Sequence, residues 1–188
     1  MTKLSLLASA FVFFFVLPHS LDAQVYFGIK GGFTAANLNS ESGFASNTSS
    51  RSGMHAGALV QLKVRVISLQ AEVLYSQQGA SEEGSDVMYK NDYIIMPIVV
   101  KLTLGPMNIH TGIQYDMLLS ADYGGNDNKD YYQNGFSVPI GAGLDVRKFQ
   151  LEARFIAGLT DIGNNPDITG KLTNTVFQIS FGYKFGRF

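Results

Sequence analysis

From Val25 onward the chain falls into eight stretches in which apolar and polar residues alternate with a period of two: residues 25–36, 54–64, 68–78, 93–104, 107–120, 136–146, 149–159 and 176–188. Period two is the signature of a β-strand, whose side chains point to opposite faces in turn. Each stretch runs to about 10 to 14 residues, whereas strands of soluble proteins average about 5 or 6 and a tilted strand needs about 9 to 11 to cross a bilayer. The connections alternate as well. Those around residues 65–67, 105–106 and 147–148 are short, while residues 37–53, 79–92, 121–135 and 160–172 make longer links rich in Ser, Asn, Gly and Asp. Short turns at one end and long loops at the other predict an up-and-down barrel, a regularity that a lipocalin-like soluble binder has no reason to show.

The final stretch shows which face meets what. Phe177, Ile179, Phe181, Tyr183 and Phe185 share one face, with Val176, Gln178, Ser180, Gly182 and Lys184 on the other, and the chain ends on Phe188. This looks like the closing strand of an outer-membrane barrel, its greasy face turned to lipid. Across all eight stretches the polar face collects Lys30, Lys63, Lys101, Arg154 and Lys184 with Glu72, Asp116, Asp145 and Glu152. Facing lipid, each Lys or Arg near the midplane would cost about 2 to 4 kcal/mol. The charged face is therefore expected inside. Since eight strands enclose a space that side chains just fill, these nine groups should form a lumen charge network with Gln61, Gln70, Gln114, Gln150 and Gln178 rather than line a channel.

The alternation has lapses: Leu59, Leu74, Ile95, Val99, Leu118 and Ile156 fall on the polar face. Pro97 and Pro139 stand inside strands, where each removes a ladder donor, so a bulge or kink is expected at both. Aromatic residues (Tyr26, Phe27, Phe33, Tyr75, Tyr93, Tyr115, Phe136, Phe149, Phe155, Phe181, Tyr183 and Phe185) gather towards strand ends, as interfacial girdles would place them.

At the N-terminus, Lys3 precedes an apolar run, Leu4 to Leu17, and a small residue, Ala23. The run is shorter than the roughly 20 residues of a membrane-spanning helix; it reads as a signal peptide over residues 1–23, with a barrel domain over 24–188. No further domain is expected after the closing strand. With no Cys, disulfides, thiolate metal sites and lipoprotein processing drop out, and a net charge of −1 gives no footprint for nucleic acid.

Candidate chemistry is sparse. His55 and His110 face inward, with Ser137, Asp116 and Asp145 as conceivable partners for an embedded hydrolase or acyltransferase, yet no spacing selects a set. Residues 122–130 (DYGGNDNKD) lack the glycine and glutamate of a calcium loop, and Glu82, Glu83 and Asp86 lack the further ligands of a metal site. The Asn47-Thr48-Ser49 sequon carries no weight if the chain is, as an outer-membrane barrel would be, bacterial. No catalytic, cofactor or metal site is expected.

The order FGIKGGFTAANL, GMHAGALVQL, SLQAEVLYSQQGA, YIIMPIVVKL, IHTGIQYDMLLSA, VPIGAGLDV, LEARFIAGLTDI and FQISFGYKF resembles the PorT-like outer-membrane β-barrel family of Bacteroidota along essentially the whole mature chain. The resemblance implies an eight-stranded antiparallel transmembrane β-barrel with short periplasmic turns and long extracellular loops. It supplies no catalytic motif. The expected protein is a monomeric barrel in outer-membrane lipid with a structural or interaction role towards envelope or secretion proteins. An embedded enzyme, a small pore and a soluble lipocalin-like ligand binder are the alternatives.

Overall fold

The computed structural model describes residues 23–40, 48–82, 88–123, 126–127, 134–160 and 172–185. They form β1 (Ala23–Ser40), β2 (Thr48–Val64), β3 (Ile67–Glu82), β4 (Met88–Leu104), β5 (Met107–Tyr123), β6 (Asn126–Asp127), β7 (Gly135–Val146), β8 (Phe149–Gly158) and β9 (Leu172–Phe185). β6 is a two-residue strand paired with the end of β5. The other eight form one antiparallel sheet in which each strand pairs with its neighbour along the chain. Pairing of β1 with β9, from Phe27↔Phe185 to Ser40↔Leu172, closes it into a barrel. The signal-peptide segment, apart from Ala23, and most of the loop candidates, including the side chains of residues 122–130 and of Glu82, Glu83 and Asp86, lie outside the described residues.

The two faces separate as the alternation predicts. Phe33, Ile113 and Ile29 stand 72%, 61% and 58% exposed, while Gln70 and Lys101 are fully buried. On the closing strand Phe177, Ile179, Phe181 and Phe185 are exposed and Tyr183 is half-exposed. A soluble lipocalin-like binder would need the reverse arrangement. Aromatic residues cluster on the outside at the turn end, where Phe149 stacks at 5.7 Å on Phe181 and at 5.4 Å on Tyr183. Tyr26 and Tyr93 depart from the girdle expectation: Tyr93 is buried, and Tyr26 sits beneath the Lys184 ammonium at 5.5 Å.

Strand lengths correct the sequence reading. β1 to β5 run to 16 to 18 residues, so that only residues 41–47 and 83–87 separate β1 from β2 and β3 from β4. Backbone pairing continues whatever the side chains are, whereas apolar alternation reports only the part of a strand that touches lipid. Residues counted as long loops are in good part strand.

The prolines also depart from expectation. Neither marks a register shift; the shifts fall between Ser50 and His55 and between Asp92 and Tyr93. Instead pairing lapses on one side only. Between β3 and β4 it skips from Ala71↔Ile98 to Leu74↔Ile95 around Pro97, and between β5 and β7 from Thr111↔Ile140 to Gln114↔Ser137 around Pro139. On their other sides Pro97 pairs with Gln114 and Pro139 with Ile156. In an antiparallel ladder a residue's N–H and C=O address the same neighbour, so a missing N–H costs rungs towards that strand alone.

At the turn end, two-residue links hold Gly105 at φ 62°, Arg65 at 54° and Arg147 at 55°. For a residue with a Cβ this left-handed backbone costs about 1 to 2 kcal/mol.

A charge placed on the outer face should be expensive. Ile113→Arg should lower the stability of the barrel in lipid vesicles by about 2 to 4 kcal/mol, read from urea unfolding followed by gel mobility.

Candidate functional site

Among the described residues the polar side chains converge in the barrel interior, and its centre is an ion cluster. Glu72 on β3 accepts from Lys30 Nζ at 2.8 Å and from the Arg154 guanidinium at 2.9 Å and 2.5 Å, through Nη1 and Nη2. Glu152 on β8 takes Lys30, Lys101 and, at 3.1 Å, Arg154 Nη2. Gln70 Nε2 completes Glu72. Three cations thus share two carboxylates, all buried. Adjacent strands already meet through their backbones; this cluster ties β1, β3, β4 and β8 across the lumen.

A second layer orients the first. Arg154 Nε donates to His110 Nε2 at 3.0 Å, which leaves the ring proton on Nδ1, donated to Asn108 Oδ1 at 3.0 Å. His55 sits apart between Thr34 Oγ1 at 2.9 Å and Ser180 Oγ at 2.8 Å. Neither histidine meets Ser137, Asp116 or Asp145. Ser137 donates instead to Asp116 at 2.6 Å, and Gln114 does the same at 2.6 Å.

Of the nine charges read from the sequence, Lys30, Glu72, Lys101, Glu152 and Arg154 come together. Lys184 and Asp145 form a separate pair at 3.5 Å near the turn end, with Gln61 Oε1 at 3.3 Å from the same ammonium. Lys63 and Asp116 join no ion pair among the described residues. Lys63 stands one residue from the end of β2, whereas Asp116 lies mid-strand on β5 and is met by the neutral donors Ser137 and Gln114.

Space for the cluster comes from β7. Gly141 stands opposite Arg154 and Gly143 opposite Glu152 in the ladder. A Cβ on Gly141 would lie 2.9 Å from Arg154 Cγ, and one on Gly143 would lie 2.9 Å from Glu152 Cγ. The GAG of VPIGAGLDV is therefore the floor on which the two long side chains lie.

Above the ions, towards the end with the longer connections, the filling turns apolar. Leu74, Tyr93, Ile95 and Leu118 form one buried cluster, and Ala36, Ile156 and Val176 another. Of the lapses of alternation noted in the sequence, Leu74, Ile95, Leu118 and Ile156 belong to these plugs, while Leu59 and Val99 are buried outside them. A cavity of about 20 Å³, lined by Gln78, Tyr93, Gln114, Asp116, Ser137 and Ile156 among others, lies beside them. That is room for about one water. Sequence reading sets Asn108, Thr34, Ser180 and the two glycines on the polar face but assigns them no part in the network. The only available signal was that small or polar residues fall in phase with the charged ones.

The family model described as outer membrane protein beta-barrel domain matches residues 20–164. Among solved structures, the chain is similar to the neisserial surface protein A (NspA), with a TM-score of 0.58 and 15% identity over 85% of this chain and 97% of that one. It also matches the N-terminal β-barrel domain of Pseudomonas aeruginosa OprF, with a TM-score of 0.37 and 10% identity over 84% of this chain and 97% of that one. At these identities the first likeness speaks for the fold, and the second carries no weight. No curated protein sequence matches the chain.

Two substitutions test the cluster. Arg154→Met takes both guanidinium bonds from Glu72 and one from Glu152, leaving these buried carboxylates only Lys30, Lys101 and Gln70, and should cost about 3 to 5 kcal/mol of folding stability. Gly141→Val should cost about 1 to 3 kcal/mol by overpacking. Urea titrations of the barrel in detergent micelles, followed by circular dichroism, read both.

Proposed function

The chain belongs to the outer membrane protein beta-barrel domain family, and from that membership we propose that this outer-membrane barrel is a closed, non-enzymatic, monomeric scaffold that serves the cell envelope through the proteins it contacts. The observation that carries the reading is the filled lumen. Charged side chains cross its centre in a shared cluster, and apolar plugs lie above it. A conducting pore would need a continuous wet path, and an embedded enzyme would need a reactive group open to substrate; His55 and Ser180, the one Ser–His contact described, are both buried.

The finer assignment is to the PorT-like type, with export by the signal peptide over residues 1–23 and a link to protein secretion. It is supported by the order of motifs from FGIKGGFTAANL to FQISFGYKF. In this reading outer-membrane lipid surrounds the barrel and secretion or envelope proteins engage the end away from the short turns.

The folded protein in planar bilayers should show no channel steps, and steady conductance would establish a pore instead. In cells, deleting the gene should reduce protein delivered to the surface while leaving outer-membrane permeability unchanged. Normal delivery would remove the secretion link.

A further inference from the structure

Three turns of two residues close the same end of the barrel: Arg65-Val66, Gly105-Pro106 and Arg147-Lys148. All three have left-handed backbone at the first position. Gly105 is what such a position ordinarily takes, because it has no Cβ to crowd the carbonyl. Arginine stands there in the other two turns, against the preference of the backbone. Strain held at a surface position is a reason to look for what the side chain does.

Their surroundings narrow the answer. Arg65, Arg147 and Lys148 are exposed, and no ion pair among the described residues includes them. The carboxylate nearest in sequence, Asp145, is held by Lys184 at 3.5 Å. Outward apolar side chains begin immediately beside both turns: Val66 and Ile67 at one, Val146 and Phe149 at the other, each about half exposed. A two-residue turn cannot carry a guanidinium away from that apolar border. In a barrel embedded in lipid, the level where hydrocarbon gives way to headgroups falls at these turns, where long basic side chains can lay their stems on apolar surface and keep their charges at its edge. A polymer of the periplasm would have to reach up to them, whereas lipid phosphate is already there. The planar guanidinium fork matches phosphate oxygens in pairs, a task lysine performs less well.

We infer that the Arg65 turn and the Arg147-Lys148 turn are two binding sites for the phosphate of anionic phospholipid headgroups. They join β2 to β3 and β7 to β8, which lie on opposite sides of the eight-strand ring. Two such anchors fix the depth and tilt of the barrel where one would leave a pivot. The inference rests on the barrel being embedded in lipid.

The full chain carrying Arg65→Gly with Arg147→Gly tests it, since Gly105 shows that glycine suits the turn. Wild type and variant are folded into phosphatidylcholine vesicles with and without phosphatidylglycerol, and urea unfolding midpoints are compared. In phosphatidylcholine alone the variant should match or exceed the wild type, because strain is relieved. With phosphatidylglycerol the wild-type midpoint should rise, and the rise should be at least halved in the variant. Added salt should shrink that difference. Equal rises in both proteins would overturn the inference, as would a variant that is weaker by the same amount in both vesicles, which would mark the arginines as parts of the turn alone. If the wild type inserted into neither vesicle, the embedding itself would fall and the inference with it.

Discussion

The meeting of β1 and β9 is the constraint on which the rest depends. Hydrocarbon offers nothing to an unpaired N–H or C=O, so a sheet can live there only without edges. The first and last barrel strands satisfy each other from Phe27↔Phe185 to Ser40↔Leu172. Once eight strands are closed in this way, the width of the interior is set and no longer negotiable. Whatever points inward has to fit that width and has to find partners there.

The lumen answers with long charged side chains laid on glycine. Lys30, Lys101 and Arg154 share Glu72 and Glu152, and Gly141 and Gly143 leave the room they need. A buried ion cluster is weak evidence for net stability, because desolvation consumes much of what attraction returns. Its effect here is on geometry. Glu72 on β3 and Arg154 on β8 are not neighbours in the sheet, so their contact fixes a distance across the barrel that backbone pairing leaves free. The local gaps beside Pro97 and Pro139 are tolerable in a cylinder cross-braced from within.

Much of this could be read in the sequence because lipid and lumen impose opposite demands on successive residues. The period of two located every barrel strand, and Phe177, Ile179, Phe181, Tyr183 and Phe185 identified the outer face. The strand ends were not legible, since beyond the membrane a ladder continues without any pattern of hydrophobicity. Partner choice was not legible either. Lys63 and Asp116 carry the same alternation signal as Lys101 and Glu152, yet whether an opposite charge or only neutral donors such as Ser137 and Gln114 stand across the lumen depends on the closed barrel. The misplaced apolar residues Leu74, Ile95, Leu118 and Ile156 looked like errors in the pattern and are the plugs above the ions.

The unequal strand lengths have a consequence for the shape presented outside the membrane. A strand of 17 residues is about 55 Å long, and at a tilt near 40° it climbs about 40 Å, against an apolar band about 25 Å tall. Since the turns are flush with one border, the surplus of β1 to β5 all stands beyond the other. β7 and β8, with 12 and 10 residues, end near the border itself. The sheet therefore continues past the lipid as a half-collar, tall along five strands and cut low along two. A molecule meeting the tall side touches a pleated wall held by hydrogen bonds, a surface that β7 and β8 do not extend.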